Sequence, residues 1–217
     1  MTQKSKSWLV NAITFARVPF VLLWMVLAIF QELAYDAKYG AVSITLAVLS
    51  SLMMLFSGLT DAWDGALARK WKVVTNLGKM SDPLMDKVFY IVAFPVLAWQ
   101  VTRQGESDVH AMVMVVFTVI YMLRDTWVTF MRSVGSMYNA DVAAMMIGKV
   151  RTALSFPGAG WIYVYLAFHR MFPESWGGPW LASCYAVEAL LLLLTFWSLC
   201  VYSRVYWPYL KMAMTKF

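Results

Sequence analysis

Residues 40–65 read GAVSITLAVLSSLMMLFSGLTDAWDG, and two features of that run decide the fold. No residue from Gly40 to Thr60 carries a charge. A helix of that length, rising ~1.5 Å per residue, crosses the ~30 Å hydrocarbon core of a bilayer. Directly after it come Asp61 and Asp64, three residues apart and therefore on one face of the same helix. Carboxylates at the edge of an apolar span are costly, so they turn toward a bundle interior or a wet cavity and mark a function.

The rest of the chain has the same character. Of 217 residues, 61% are hydrophobic and only 14% are charged, and the mean hydropathy is +0.63. Soluble domains carry roughly a quarter charged residues, so the expected solvent for much of this chain is lipid. The net charge of +6 does not point to nucleic acid. Its basic residues gather at the ends of apolar stretches, where they hold loops on the cytoplasmic side and meet anionic headgroups. Cys184 and Cys200 lie ~24 Å apart along one apolar helix and form no bridge within it.

Working outward, five further apolar segments accompany Gly40–Thr60. They run from about Ala12 to Ala34, Ser81 to Val101, Asp108 to Met131, Lys149 to Phe168 and Trp176 to Ser203. Lys4 and Lys6 precede the first, but no small-residue cleavage site closes it, so it is expected to stay as a span. Several segments reach spanning length only by including ionisable residues near one end. With the N-terminus inside, the outer loops hold Lys38, Arg103 and Arg170, while the rest of the eighteen basic residues lie on the inner side. The expectation is an all-α membrane protein, a six-transmembrane-helix bundle with a cytoplasm-facing polar active site and both termini in the cytoplasm. Residues 1–217 read as a single integral-membrane domain.

The inner end of the second and third spans reads DAWDGALARKWKVVTNLGKMSDPLMD from Asp61 to Asp86. Asp82 and Asp86, four apart, share a helix face as Asp61 and Asp64 do. Two helices joined by a connector from Arg69 to Lys79 aim all four carboxylates at one point. At close range they repel unless cations neutralise them, a need that hard divalent ions meet. Gly65 removes a side chain beside Asp64, and Arg69 lies one turn on, able to grip a diphosphate bidentately. Gly78 allows another close approach and Thr75 offers a hydroxyl. The competing reading is a structural ion network with Arg69, Lys70, Lys72, Lys79 and Lys87. A divalent-cation transporter is a further alternative, although it calls for acidic residues through the membrane depth, where only Glu188 lies.

The pattern Asp61-x2-Asp64-Gly65-x2-Ala68-Arg69-x8-Gly78-x3-Asp82-x3-Asp86 resembles the signature of the CDP-alcohol phosphatidyltransferases at all eight fixed positions. That resemblance implies a phosphotransferase in which Asp61, Asp64, Asp82 and Asp86 hold two divalent cations, Mg²⁺ or Mn²⁺. It makes Asp86 the general base as well, and gives Gly65, Arg69, Thr75 and Gly78 to the CDP-activated lipid. It also implies an inner, cytoplasmic or organellar membrane and a homodimer. Asn11, Thr14 and Arg17 are similar to the family's opening motif and are expected near the nucleotide; a snorkelling Arg17 is the alternative.

The second half speaks to the acceptor. The runs RDTWVTFMR from Arg124 and IGKVRT from Ile147 put Arg124, Arg132, Lys149 and Arg151 at the inner ends of the fourth and fifth spans. Four cations suit a phosphate-bearing alcohol; positive-inside bias with lipid contact is the other account. This stretch resembles the phosphatidylglycerophosphate-forming branch of the family, with Asp125 replacing a Glu and Arg151 a Lys. The resemblance implies transfer from CDP-diacylglycerol to glycerol 3-phosphate, with cardiolipin synthesis from phosphatidylglycerol as the alternative. His110 and His169 fall on the presumed outer side, away from this chemistry.

Overall fold

A computed structural model describes residues 2–36, 39–73, 76–105, 107–141 and 145–215. They form six long helices: α1 (Gln3–Asp36), α2 (Gly40–Trp71), α3 (Asn76–Gln104), α4 (Asp108–Met137), α5 (Met146–Phe168) and α6 (Glu174–Thr215). All but α5 are long and apolar enough to cross a membrane. In α5 the buried residues include Arg151, Ser155, Gly158 and Ala159. These small and polar groups sit on an internal face that the neighbouring helices cover.

The helices outrun the apolar segments that announce them. Helix α2 continues through Ala-Leu-Ala-Arg-Lys-Trp, good helix formers needing no lipid, and stops at Lys72, whose φ of 54° is left-handed. The connector expected from Arg69 to Lys79 is thus shorter, since α3 begins at Asn76. Thr2 caps α1 by accepting from the Ser5 N–H, and Ser107 caps α4 by accepting from the His110 N–H. Gly105, at φ 66°, ends α3 where a side chain is strained.

Helix α1 packs on α2 and α3, α3 on α4 and α5, and α6 on α4 and α5. The buried face of α2 carries Ser43, Ala47, Ser50, Met54, Ser57, Thr60 and Asp64. A stripe of small residues lets helices approach where the hydrophobic effect is silent, and this one leads straight to the carboxylates. Aromatic rings fill the middle: Phe94 and Tyr121 have centroids 4.6 Å apart, and Trp24 meets Tyr163 at 5.2 Å. Exposed Ile91, Leu123 and Leu193 face outward, as suits a lipid-facing surface.

At the end remote from Asp61, Glu32 is fully enclosed. It accepts from Arg170 at 2.9 Å and from Gln104 at 3.0 Å, joining α1, α3 and the short 3-10 turn after α5. Elsewhere His110 Nε2 lies 2.8 Å from Glu188 Oε1, fastening α4 to α6; Glu188 thus serves packing within the bundle. Replacing Arg170 with Met strands a buried carboxylate without its cation, a loss worth about 3–5 kcal/mol. The expected outcome is a clearly lower thermal unfolding midpoint in detergent, and an unchanged midpoint would refute the fastening role.

Candidate active site

Three of the four motif aspartates converge on one residue from α1. Arg17 is only 3% exposed, which removes the snorkelling alternative. Its Nη1 donates to Asp86 at 2.8 Å, and its Nη2 bonds Asp61 and lies 3.7 Å from Asp64. One turn earlier, Thr14 donates its hydroxyl to Asp64 Oδ2 at 2.7 Å. Three-residue spacing puts Thr14 and Arg17 on one helix face, and the close packing of α1 on α2 and α3 brings that face to the carboxylates. The aspartates differ in access. The Asp64 side chain is 7% exposed, against 61% for Asp61 and 37% for Asp86, so Asp64 backs the site while the other two face its opening.

Gly65 lies beside these groups on α2, where an added Cβ would meet the Arg69 guanidinium at 3.6 Å. No packing contact demands a glycine there, so the open space is available to a ligand. Arg69 itself is exposed on the last turns of α2. Gly78 lies in the first turn of α3 and Asp82 in the next; the Asp82 side chain, like the whole of Thr75, lies outside the described residues.

A cavity of about 770 Å³ opens from Asp61 and Asp86 toward α4, α5 and α6. Arg124, Arg132, Lys149 and Arg151 all line it, so the structure gathers the four cations singled out in the sequence around one space. They are not held alike. Asp125 Oδ1 accepts from Arg124 at 2.8 Å and from Arg151 at 2.5 Å, tying the two guanidiniums together. Arg151 also lies over the Tyr121 ring at 4.2 Å, a cation–π contact. Its Nη1 and Nε are buried without a hydrogen-bond partner among the described residues, an expensive state for a charged donor. Lys149, in contrast, is exposed.

Sequence reasoning treated Asp125 only as a departure from a pattern, and assigned nothing to α6. Here α6 contributes Ser198, which accepts from Arg124, and Tyr202, whose ring lies 5.2 Å from the Arg124 guanidinium. Tyr202 also accepts the Met145 N–H at 2.9 Å, anchoring the start of α5. A Cβ on Gly148 would come within 2.8 Å of that hydroxyl, so glycine is needed for the approach. A signal was present: Ser198, Tyr202 and Tyr206 recur every four residues along α6 and so share one face.

Among the described residues, no three His, Cys, Asp or Glu side chains are grouped closely enough to hold a metal ion as they stand. The donor set nonetheless fits a divalent cation. Asp61, Asp64 and Asp86 offer hard oxygens on adjoining helices, and all three already meet about one cationic group. That cation is Arg17 on α1, which the competing ion-network reading did not include.

A family model described as CDP-alcohol phosphatidyltransferase matches residues 7–215. The chain belongs to that family. A relative from Pectobacterium atrosepticum is 30% identical over 162 residues, covering 71% of this chain and 76% of the relative. Another, from Bacillus subtilis, is 32% identical over 143 residues, covering 65% and 69%. Both are named CDP-diacylglycerol–glycerol-3-phosphate 3-phosphatidyltransferase. For this phosphatidyltransferase the match takes in all six helices, from the first turns of α1 to the end of α6.

Proposed function

We propose that this protein transfers the phosphatidyl group of CDP-diacylglycerol to glycerol 3-phosphate, forming phosphatidylglycerophosphate and CMP. The observation that carries the reading is the 770 Å³ cavity, where Asp61 and Asp86 share one space with Arg124, Arg132, Lys149, Arg151 and also Lys87. An anionic alcohol drawn to those cations arrives with its hydroxyl beside a carboxylate. The names of the relatives support the same acceptor.

In this reading Arg151, Arg124, Arg132 and Lys149 hold the acceptor phosphate. Asp86 takes the proton from the attacking hydroxyl, whose oxygen bonds the lipid-side phosphorus. The bond from that phosphorus to the bridging oxygen breaks, and the electron pair leaves with CMP. Gly65, Arg69, Thr75 and Gly78 hold the cytidine diphosphate end. Two divalent cations, Mg²⁺ or Mn²⁺, bound by Asp61, Asp64, Asp82 and Asp86, would supply charge neutralisation at the diphosphate. Thr14 and Arg17 orient Asp61, Asp64 and Asp86.

Helix α5 completes a six-span bundle in a single domain, with the cavity and both termini on the cytoplasmic side, as the bias of Lys and Arg favours. Purified protein with CDP-diacylglycerol is expected to release CMP on addition of glycerol 3-phosphate, and not with serine, inositol phosphate or choline. Release with phosphatidylglycerol but not glycerol 3-phosphate overturns the acceptor, and no release with any alcohol overturns the reaction. In sealed membranes, added glycerol 3-phosphate should react in inverted vesicles and not in right-side-out ones; the reverse overturns the orientation.

A further inference from the structure

A second chamber of about 460 Å³ adjoins the first and shares Asp61 and Asp86 with it. Unlike the cation-lined cavity it is walled chiefly by apolar groups from α2, α3 and α5, including Leu55, Phe89 and Phe156. Leu55 at its edge is 54% exposed on the outer face of the bundle, so the chamber connects the carboxylates with the lipid-facing surface. Gly58 shapes the wall: a Cβ there would fall 2.4 Å from the Phe156 ring.

Two of the polar residues in this lining carry a buried atom without a hydrogen-bond partner among the described residues. The Ser57 hydroxyl is completely buried and has no hydrogen-bond partner among the described residues. Arg17 lines the same chamber, and its Nε is likewise buried without a partner among the described residues. A buried donor without an acceptor costs free energy that a ligand acceptor recovers. An occupant that is apolar yet brings acceptors to this depth is an ester-bearing lipid. The register agrees: Ser57 lies one helical turn, about 6 Å, deeper than Asp61. In a diacylglycerol phosphate the ester carbonyls lie one glycerol unit from the phosphorus.

We propose that this chamber receives the glycerol ester end of the lipid donor, with the Ser57 hydroxyl donating to an ester carbonyl. Ser57 thereby distinguishes diacyl from dialkyl-ether donors, and the inference rests on the reaction proposed above. The test compares CDP-dioleoylglycerol with its dialkyl-ether analogue, which keeps the diphosphate and chains but lacks the carbonyls. Wild-type protein should prefer the ester by about threefold to tenfold in kcat/KM, the effect of one neutral hydrogen bond. In Ser57→Ala the two donors should become equivalent, chiefly through a raised KM for the ester. The result is a ratio within each protein, so a change in folded fraction cancels. Equal use of both donors by the wild type, or an ester preference that survives in Ser57→Ala, overturns the proposal. Failure of the wild type to release CMP from either donor instead overturns the underlying reaction, and an inactive, folded Ser57→Ala beside an active wild type overturns the proposal, since one ester contact is worth about tenfold at most.

Discussion

Asp86→Asn is expected to lower kcat by about 10²–10⁴-fold, the range a positioned general base contributes, while the apparent KM for each substrate changes far less. Asp86 is suited to both duties assigned to it. It borders both chambers, and its Oδ1 is already held by Arg17 at 2.8 Å. Asparagine keeps the shape and an oxygen that still accepts from Arg17, so the helix contacts survive. What it cannot do is accept the proton of the attacking hydroxyl or carry negative charge toward a divalent cation. The measurement is CMP release by purified variants whose unfolding midpoint matches the wild type. EDTA should abolish wild-type turnover, and added Mg²⁺ or Mn²⁺ should restore it. Activity of Asp86→Asn within tenfold of wild type, or full activity in EDTA, would sink the assignment of base and metal ligand together.

The carboxylates were legible in sequence because they are local. Asp61 and Asp64 need only a helix to share a face, and α2 supplies it by running on to Trp71. Apolar run lengths located the helices but not their ends, since they count residues in lipid whereas helices continue through Ala, Leu, Arg and Lys into water. Long-range partnerships left no such trace. Arg17 reaches Asp61 and Asp86 across 44 and 69 residues, and a lone arginine in an apolar run reads equally as a snorkelling side chain. Asp125 was hidden for a different reason. Pattern comparison weighs it as a replacement for another acid, whereas its carboxylate receives one guanidinium from its neighbour and a second from α5. The apolar chamber had no sequence signature, because a cavity is a relation among helices, here α1, α2, α3 and α5.

Asp125 also decides which cation matters most to the acceptor. Of the cations around the cavity, Arg151 combines burial, fixed orientation and two buried nitrogens without partners among the described residues. Its Nη2 is anchored on Asp125 and its plane rests on Tyr121, so little side-chain entropy is lost when a phosphate binds. Lys149 is exposed and must be ordered by the ligand. A charge-assisted hydrogen bond is worth roughly 1.5–3 kcal/mol, so Arg151→Ala should raise the KM for glycerol 3-phosphate by about tenfold to a hundredfold. Arg151→Lys retains the charge but not the planar fork, and should recover only part of that loss. The KM for CDP-diacylglycerol should stay near the wild-type value, since its diphosphate contacts are assigned to Gly65, Arg69, Thr75 and Gly78. Arg69→Ala should reverse the pattern, weakening the donor and sparing the acceptor. Initial rates measured over both substrate concentrations separate the two effects. If Arg151→Ala left the glycerol 3-phosphate KM unchanged while kcat fell, the arginine would be bracing the helices through Asp125, and the acceptor phosphate would have to bind elsewhere.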